Sequence, residues 1–262
     1  MTGGGVALDS TELRQAVATA CRILAHRGLV DGILGHVSVR VSPDELVIRC
    51  RGADEPGLAH SRSSDVWRVT LDGEPVDLPS GYAPPNEVWI HTEVMRRRPE
   101  VGAVIHAHPP SALLVGLAGL RPRPVFGAYS IPALRLALAG IPVYPRPVLI
   151  SRRELAEEMM EVMGDADVCL LRGHGVTIAA PTVEAATTLA VDLDTLLVTT
   201  LELARLDAVP PELSEPNLAE LPDLGSGFNH RFAWQALVAD LPPAGGEHGN
   251  AHGEGAKPDP AR

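Results

Sequence analysis

The first apolar residues of the chain recur every three or four positions and stop at Gly28, which predicts a helix that begins at Ser10. These residues are Leu13, Val17, Cys21 and Leu24. Three short segments with alternating polarity follow, and turn residues separate them. They cover residues 36–41, 45–51 and 66–71. Because short strands joined by tight turns usually pair with each other, we expect an antiparallel meander.

Helical and strand patterns alternate through the rest of the chain. Pro99 ends a helix predicted over 86–98, and a strand with two histidines comes next. Ser151 is the predicted cap of a helix over 152–163, with Glu154 at the capping-box position. The remaining predictions are helices over 111–117 and 181–206 and strands over 140–144, 167–171 and 176–179.

The two ends of the chain differ from the region between them. Residues 241–262 are rich in glycine, proline and charge, and they have too few apolar side chains to offset the entropy lost on ordering. We therefore predict a flexible N-terminus over 1–9, one catalytic domain over 10–240 and a disordered tail over 241–262.

Composition narrows the classes of function. Hydrophobic residues make up 45% of the chain and charged residues 21%, as in an ordinary globular protein. The net charge of −11 repels nucleic acids and anionic membranes, so a small-molecule substrate is the expected partner. Three distant cysteines, the lack of a basic and apolar leader and the lack of an 18-residue apolar run favour a cytoplasmic protein.

Two histidines share one face of a predicted strand. In the segment VIHAHP alternate side chains point the same way, so His106 and His108 converge just before Pro109 ends the strand. Neutral imidazoles placed in this way chelate divalent metals, and His174, between two glycines that allow a tight turn, is a candidate third ligand. A single buried histidine is more often a hydrogen-bonded core residue. The three together favour a site for one divalent ion, and zinc, iron and manganese all suit histidine ligands.

Glu87 opens the helix just before the histidine strand and is the candidate acid–base group. A metal site that performs chemistry needs such a group in addition to its permanent ligands. The positive end of a helix favours the ionised carboxylate, whereas burial would raise its pKa. An exposed glutamate in a first helical turn is the structural alternative.

Four motifs occur along the chain in the order Gly-His-Val-Ser at 35–38, Pro-x-Glu-x-x-x-His at 85–91, His-Ala-His-Pro at 106–109 and Arg-Gly-His-Gly at 172–175. Over residues 10–210 the chain resembles the class II aldolase/adducin-like family. The resemblance implies an α/β fold of three α/β/α layers with a central, largely antiparallel sheet, usually in a homotetramer with sites between subunits. It also implies His106, His108 and His174 as ligands of one divalent metal ion, and Glu87 as the catalytic acid or base.

Two of these motifs differ from those of the sugar-phosphate aldolases in the family. Those enzymes usually have Gly-Asn-x-Ser and Ser-Ser-Glu at the corresponding positions, and the asparagine and serines bind phosphate and sugar oxygens. This chain has His36, Pro85 and Asn86 instead, which removes compact phosphate donors and argues against a phosphorylated substrate. The resemblance leaves His36, Ser38 and Asn86 as predicted substrate-binding residues.

The segment Arg49-Cys50-Arg51-Gly52 replaces a Ser-Gly loop of the aldolases. Alternate residues of a strand share a face, so Arg49 and Arg51 are predicted to point together, and a guanidinium group matches a carboxylate. A solvent-facing pair of charges is the alternative. We expect Arg51 and Gly52 to bind a substrate carboxylate. Tyr129 lies within a residue or two of a tyrosine that donates a proton in the aldolases, so the resemblance makes it a second catalytic candidate.

The motifs Gly-His-Val-Ser and Arg-Cys-Arg-Gly are most similar to one branch of the family. That branch contains aromatic-acid decarboxylases, such as those acting on dihydroxyphthalate, and aminocoumarin-pathway enzymes that form prenylated hydroxybenzoates. We therefore expect a divalent-metal-dependent carbon–carbon lyase, of decarboxylase or aldolase type, acting on a small non-phosphorylated carboxylate such as a hydroxylated aromatic acid. Two alternatives stay open: a non-heme iron oxygenase with the same ligands, and a non-catalytic interaction module like the adducin head.

Overall fold

The structure is a computed structural model and describes residues 10–222 and 226–242. The N-terminus predicted to be flexible, 1–9, and residues 243–262 of the predicted tail lie outside the described residues. Within the described ranges, no helix combines the length and hydropathy that crossing a bilayer requires.

One seven-stranded sheet forms the centre of the described structure. Its strands are β1 His36–Arg40, β2 Glu45–Arg49, β3 Val66–Thr70, β4 Ala103–Ala107, β5 Val143–Tyr144, β6 Val168–Leu171 and β7 Gly175–Ala180. They lie in the order β3-β2-β1-β4-β7-β6-β5, and each neighbouring pair is antiparallel except β5 with β6. The predicted meander of β1, β2 and β3 and the predicted, largely antiparallel sheet are both confirmed.

The α-helices of the described residues are α1 Ser10–His26, α2 Val88–Arg97, α3 Pro110–Ala118, α4 Ile131–Ala139, α5 Arg153–Met163, α6 Val183–Arg205, α7 Glu215–Ala219 and α8 Ser226–Ala239. The sequence pattern predicted five of them and missed α4, α7 and α8. Pro132 made the segment of α4 resemble a loop. A proline is compatible with the first turn of a helix, however, because the nitrogen there needs no hydrogen-bond partner. Ser130 Oγ caps this helix by accepting from the Ala133 N–H at 3.4 Å.

Helices cover both faces of the sheet. Helices α1 and α6 pack on one face and α2 and α5 on the other, while α3, α4 and α8 pack against α6. Neighbouring residues of β4 show this division, because Ile105 is buried in the core with α1 and α6, and Val104 in the core with α2 and α5. The predicted three-layer α/β/α fold is confirmed.

Ser151 does not cap α5, so this prediction was wrong. The helix begins at Arg153, and its N-cap residue Arg152 makes no side-chain capping bond. Ser151 instead lies in a preceding turn, where its N–H donates to Leu149 O at 2.9 Å. The turn delays the start of the helix and breaks the spacing that a capping box requires.

Candidate metal centre

His106 lies on the central strand of the sheet. Strand β4 pairs with β1 on one side and β7 on the other, and His106 is directly opposite His36 and Thr177. The imidazole is fully buried, whereas the neighbouring Ile105 packs in the core on the opposite face. The rings of His106 and His108 have centroids 4.7 Å apart. The structure therefore brings these two histidines together as the strand alternation predicted.

His174 reaches β4 from the turn between β6 and β7. Gly173 has a left-handed conformation with φ of 65°, which glycine adopts without steric cost. Gly175 then passes so close to β4 that a Cβ atom at this position would lie 2.2 Å from Ala107 O. The two flanking glycines thus have different roles, and together they place the His174 ring 4.9 Å from the ring of His106.

Glu87 is the N-cap residue of α2 and is 4% exposed. Its Oε1 accepts a hydrogen bond from the Ile150 N–H at 2.8 Å. Its Oε2 lies 3.3 Å from His106 Nε2 and 3.5 Å from His174 Nε2. One carboxylate oxygen is therefore held by the backbone and the other faces the histidines. Glu87 is not the exposed first-turn glutamate of the structural alternative.

Lone pairs from four side chains converge in this cluster, because ligand atoms of Glu87, His106, His108 and His174 all lie within 4.8 Å of one another. His106 Nδ1 donates to Val176 O at 3.0 Å, so its Nε2 presents a lone pair. His108 Nε2 lies 2.7 Å from that atom. Both ring nitrogens of His174 are buried and form no hydrogen bond with the described residues. A shared cation would satisfy these atoms.

The protonation states of the cluster also suit a metal. Burial, together with neighbouring His106 and His174, lowers the pKa of His108 to about 3. Burial raises the pKa of Glu87, but the imidazoles of His106 and His174 outweigh this effect and hold the pKa well below its ordinary value. His108 is therefore neutral and Glu87 ionised at neutral pH. Three imidazoles and a carboxylate fit a divalent cation, although zinc, iron and manganese all accept such ligands.

A second group of buried polar side chains adjoins the cluster. The ring of His36, on β1, lies 5.0 Å from the ring of His106. His36 Nδ1 lies 2.7 Å from Nε2 of His91, on α2, and His91 Nδ1 lies 2.6 Å from Ser38 Oγ. Of the predicted substrate-binding residues, His36 therefore adjoins the cluster, whereas Ser38 is fully buried and contacts His91. The sequence pattern predicted no role for His91, although its position four residues after Glu87 on a helix places the two side chains on one face.

Arg49 is not one of a solvent-facing pair of charges, because its side chain is buried and paired. Arg49 is 2% exposed, and its guanidinium forms an ion pair with Glu55. Strand β2 ends at Arg49, and the backbone of Arg51 pairs with Ala83 in an isolated bridge, so a common face for Arg49 and Arg51 stays a prediction. Arg51 is partly exposed and remains the predicted carboxylate ligand.

Gly52 and Asn86 lie on segments that the pairing of Arg51 with Ala83 brings side by side. A Cβ atom at Gly52 would lie 3.0 Å from the ring of Tyr82, so packing explains this glycine. Asn86 is exposed and precedes Glu87 directly. Their substrate-binding roles stay predictions.

Tyr129 lies in the loop before α4 and is 83% exposed. Its ring stacks on Phe126, with centroids 5.9 Å apart. Its catalytic role stays a prediction.

The sequence profile described as Class II Aldolase and Adducin N-terminal domain matches residues 15–201. The chain belongs to this family. The matched range includes the four clustered side chains of Glu87, His106, His108 and His174. The family predicted from the motifs is confirmed.

Three relatives in the class II aldolase family have the name 3,4-dihydroxyphthalate decarboxylase. The protein from Arthrobacter keyseri is 50% identical over 234 residues, which cover 88% of this chain and 94% of the relative. The proteins from Terrabacter sp. (strain DBF63) and Rhodococcus jostii (strain RHA1) are 46% and 44% identical, over 91% and 88% of this chain and 99% and 96% of their own. The predicted placement beside aromatic-acid decarboxylases is confirmed.

Solved structures of the class II aldolase family share the fold at low sequence identity. An aldolase II superfamily protein from Pseudomonas syringae has a TM-score of 0.73 and 23% identity, over 90% of this chain and 94% of that chain. L-fuculose 1-phosphate aldolase from Glaciozyma antarctica PI12 also has a TM-score of 0.73, with 17% identity over 91% of this chain and 93% of that chain. These likenesses confirm the predicted class II aldolase fold.

Proposed function

We propose that this protein is a metal-dependent decarboxylase of hydroxylated aromatic acids and that 3,4-dihydroxyphthalate is its substrate. The observation that carries the proposal is the convergence of His106, His108, His174 and Glu87 within 4.8 Å. The substrate follows from the name of three relatives that are 50%, 46% and 44% identical. The replacement of phosphate-binding asparagine and serine by histidine, proline and asparagine at 36, 85 and 86 supports a substrate without phosphate.

His106, His108 and His174 are the residues that would hold the metal ion. A divalent cation bound there supplies a Lewis acid for the hydroxyl and carboxylate oxygens of the substrate. Its identity as zinc, iron or manganese stays a prediction, as do the homotetramer and the cytoplasmic location.

Glu87 moves the proton that decarboxylation requires. Its Oε2 takes the proton of a substrate hydroxyl ortho or para to the departing carboxylate, which increases the electron density of the ring. The same oxygen then delivers the proton to the ring carbon that carries the carboxylate. When the bond to the carboxylate breaks, its electron pair restores an aromatic phenolate, CO2 leaves and water reprotonates the phenolate. One carboxylate and one proton thus give one aromatic C–H bond and one CO2.

The remaining predicted residues bind the substrate or complete a site between subunits. Arg51, with Gly52 and Asn86 nearby, binds the carboxylate that is retained, since a guanidinium group forms two parallel hydrogen bonds with a carboxylate. Tyr129 is 83% exposed on its own chain, which leaves it accessible to a second subunit. In a homotetramer it would act as a proton donor at the site of an adjacent subunit.

The test is elemental analysis of anaerobically purified protein, followed by incubation with 3,4-dihydroxyphthalate. We expect about one divalent ion per chain, as a single cluster of this kind implies, and equal amounts of CO2 and a dihydroxybenzoate. Phthalate without hydroxyl groups and a ketose phosphate are the control substrates, and neither should react. Oxygen consumption equal to CO2 release would establish the iron oxygenase instead. Metal-free protein that binds no added zinc, iron or manganese would establish the non-catalytic module.

A further inference from the structure

Ser38, His91 and His36 form a hydrogen-bonded chain that ends beside the metal cluster. Ser38 Oγ lies 2.6 Å from His91 Nδ1, and His91 Nε2 lies 2.7 Å from His36 Nδ1. The other ring nitrogen, His36 Nε2, forms no hydrogen bond with the described residues. The His36 ring lies 5.0 Å from the ring of His106. The chain therefore leads from the interior of the protein to a nitrogen that can bind a ligand at the candidate site.

The burial of Ser38 fixes the direction of these hydrogen bonds. Its side chain is 0% exposed, and His91 Nδ1 is the partner of its hydroxyl among the described residues. If His91 donated to Ser38, the hydroxyl proton would be buried without an acceptor, which carries the full desolvation penalty of a donor. The Val104 main chain also lies near the His91 ring, but the contacts at 2.6 and 2.7 Å are the short ones. The arrangement that satisfies each proton in these two contacts has Ser38 O–H donating to His91 Nδ1, and His91 Nε2–H donating to His36 Nδ1.

The same direction determines the tautomer of His36. A neutral imidazole carries one N–H, so when His36 Nδ1 accepts a hydrogen bond the proton is on Nε2. A protonated Nε2 has no lone pair for a metal. His36 is thus set apart from His106, whose Nδ1 donates to Val176 O and whose Nε2 therefore carries a lone pair that a cation could bind.

We infer that Ser38 and His91 are positioning residues that hold His36 as a neutral hydrogen-bond donor, with Nε2–H directed to an oxygen of the substrate. The identity of that oxygen rests on the proposed function: it is the hydroxyl oxygen on which negative charge develops during decarboxylation. A donor fixed in place before the reaction stabilises such charge without reorganisation. His91 lies one helical turn after Glu87, so α2 carries both the acid–base group and the group that orients this donor.

The tautomer can be measured without any turnover, by NMR of protein labelled with 15N-histidine. Spectra of His36→Asn and His91→Asn variants assign the two rings. We expect His36 to carry its proton on Nε2, and Nδ1 to show the shift of an unprotonated nitrogen, in both metal-free and zinc-loaded protein. A proton on Nδ1 of His36, or a zinc-bound Nε2, would overturn the inference.

Kinetics of Ser38→Ala then test the positioning role. Loss of the hydroxyl removes the group that fixes the tautomer of His91, so we expect both tautomers of His36 in the NMR spectrum. We also expect kcat to fall about tenfold to hundredfold, since loss of one well-placed donor has effects up to about a thousandfold. KM and zinc content should change little. Ser38→Thr keeps a hydroxyl and should restore the tautomer and most of kcat.

Thr187→Val is the matched control. Thr187 is also 0% exposed, but its hydroxyl donates to Val183 O within α6 at 2.7 Å. The variant loses a buried hydroxyl, and it should keep the wild-type kcat and the wild-type tautomer of His36. Wild-type kcat in Ser38→Ala, or a loss of kcat in proportion to a loss of zinc, would show that Ser38 does not position His36.

These outcomes separate the inference from the proposed function. If wild-type protein with bound metal releases no CO2 from 3,4-dihydroxyphthalate, the proposed function fails, and the NMR spectrum decides the tautomer by itself. If wild-type protein is active but His36 carries its proton on Nδ1, this inference fails and the decarboxylase stands.

Discussion

The Ile150 N–H donates to Glu87 Oε1 at 2.8 Å, and this bond turns the other carboxylate oxygen toward His106 and His174. The two partners come from different segments, the start of α2 and the turn before α5. Because the main chain of one segment holds the side chain of the other, Oε2 keeps its place before any substrate binds. In the proposed role of acid–base group, a carboxylate oriented in this way needs less reorganisation during the reaction.

Glu87→Gln should keep the bound metal and lose about 10²–10⁴-fold of kcat, because an amide cannot accept and return a proton. Steady-state CO2 release and elemental analysis measure the two quantities. Glu93→Gln is the control on the same helix, since Glu93 is 3% exposed but pairs with Arg97 rather than with the histidines. Its kcat should remain close to that of the wild type. Full activity in Glu87→Gln would remove Glu87 from the mechanism.

Metal removal should lower the Tm of the wild-type protein and leave the Tm of His174→Ala unchanged. A ligand that binds only the folded state at a thousandfold excess over its Kd stabilises that state by about 4 kcal/mol. The metal-free variant and the metal-free wild type should differ less in Tm than their metal-treated forms, because both ring nitrogens of His174 form no hydrogen bond with the described residues and lie 3.5 Å or more from the Glu87 carboxylate. Calorimetry with and without EDTA measures these changes. His26→Ala, at an exposed position on α1, should respond to EDTA like the wild type.

Gly175→Ala should reduce both stability and metal affinity. The added methyl group would lie 2.2 Å from Ala107 O and 2.8 Å from His108 Cδ2, so β7 or the His108 ring must move. Overpacking of this kind costs about 1–3 kcal/mol. Gly116→Ala is the matched control in α3, because its Cβ would have ordinary contacts from 3.6 Å outward. Urea unfolding and zinc titration of the two variants should differ, and equal results would show that β4 and β7 can separate at little cost.

Asp192→Asn should stabilise the protein above pH 6 and have little effect below pH 4. Burial raises the pKa of Asp192, on α6, from 3.8 to about 6. Between these values the folded protein holds a proton that the unfolded chain has released, so stability falls as the pH rises through this window and does not fall further above it. Asparagine removes this titration. Urea unfolding at pH 4, 5, 6 and 7.5 tests the window, and a gain of the same size at each pH would point to packing instead.

Arg51→Met should raise KM for 3,4-dihydroxyphthalate about tenfold to hundredfold with a smaller change in kcat. This range corresponds to the loss of hydrogen bonds to a charged group, about 1.5–3 kcal/mol. Arg62→Met is the control, because Arg62 is exposed in the same region of the chain. An unchanged KM in Arg51→Met would assign carboxylate binding to another residue.

Local periodicity was enough to predict which side of β4 faces the candidate site. The alternation in 103–108 predicted that the side chains of His106 and Ile105 point to opposite faces of the sheet. The structure confirms this, because successive side chains of a strand point to opposite faces. The glycines around His174 likewise predicted a tight turn, and Gly173 has the left-handed conformation that such a turn uses. The family motifs supplied what periodicity could not, namely that the two segments meet.

Contacts between distant segments were beyond the sequence. Arg49 pairs with Glu55, which lies in the loop after β2, and no periodicity predicts where a carboxylate in a loop packs. The bond from Ile150 to Glu87 joins residues 63 positions apart and uses a backbone donor, which no residue type reveals. α4 was missed because a proline in a first turn resembles a loop signal.

β4 is the fourth of seven strands and has an antiparallel neighbour along each edge. Its backbone amides should therefore exchange with deuterium mainly through global unfolding. The amides of edge strands and loops exchange through local openings, which are far more frequent. His106 is anchored in this strand, whereas His174 lies in the turn between β6 and β7. The amide of His106 should therefore exchange far more slowly than the amide of His174, and one half of the candidate site should remain ordered when the other half opens locally.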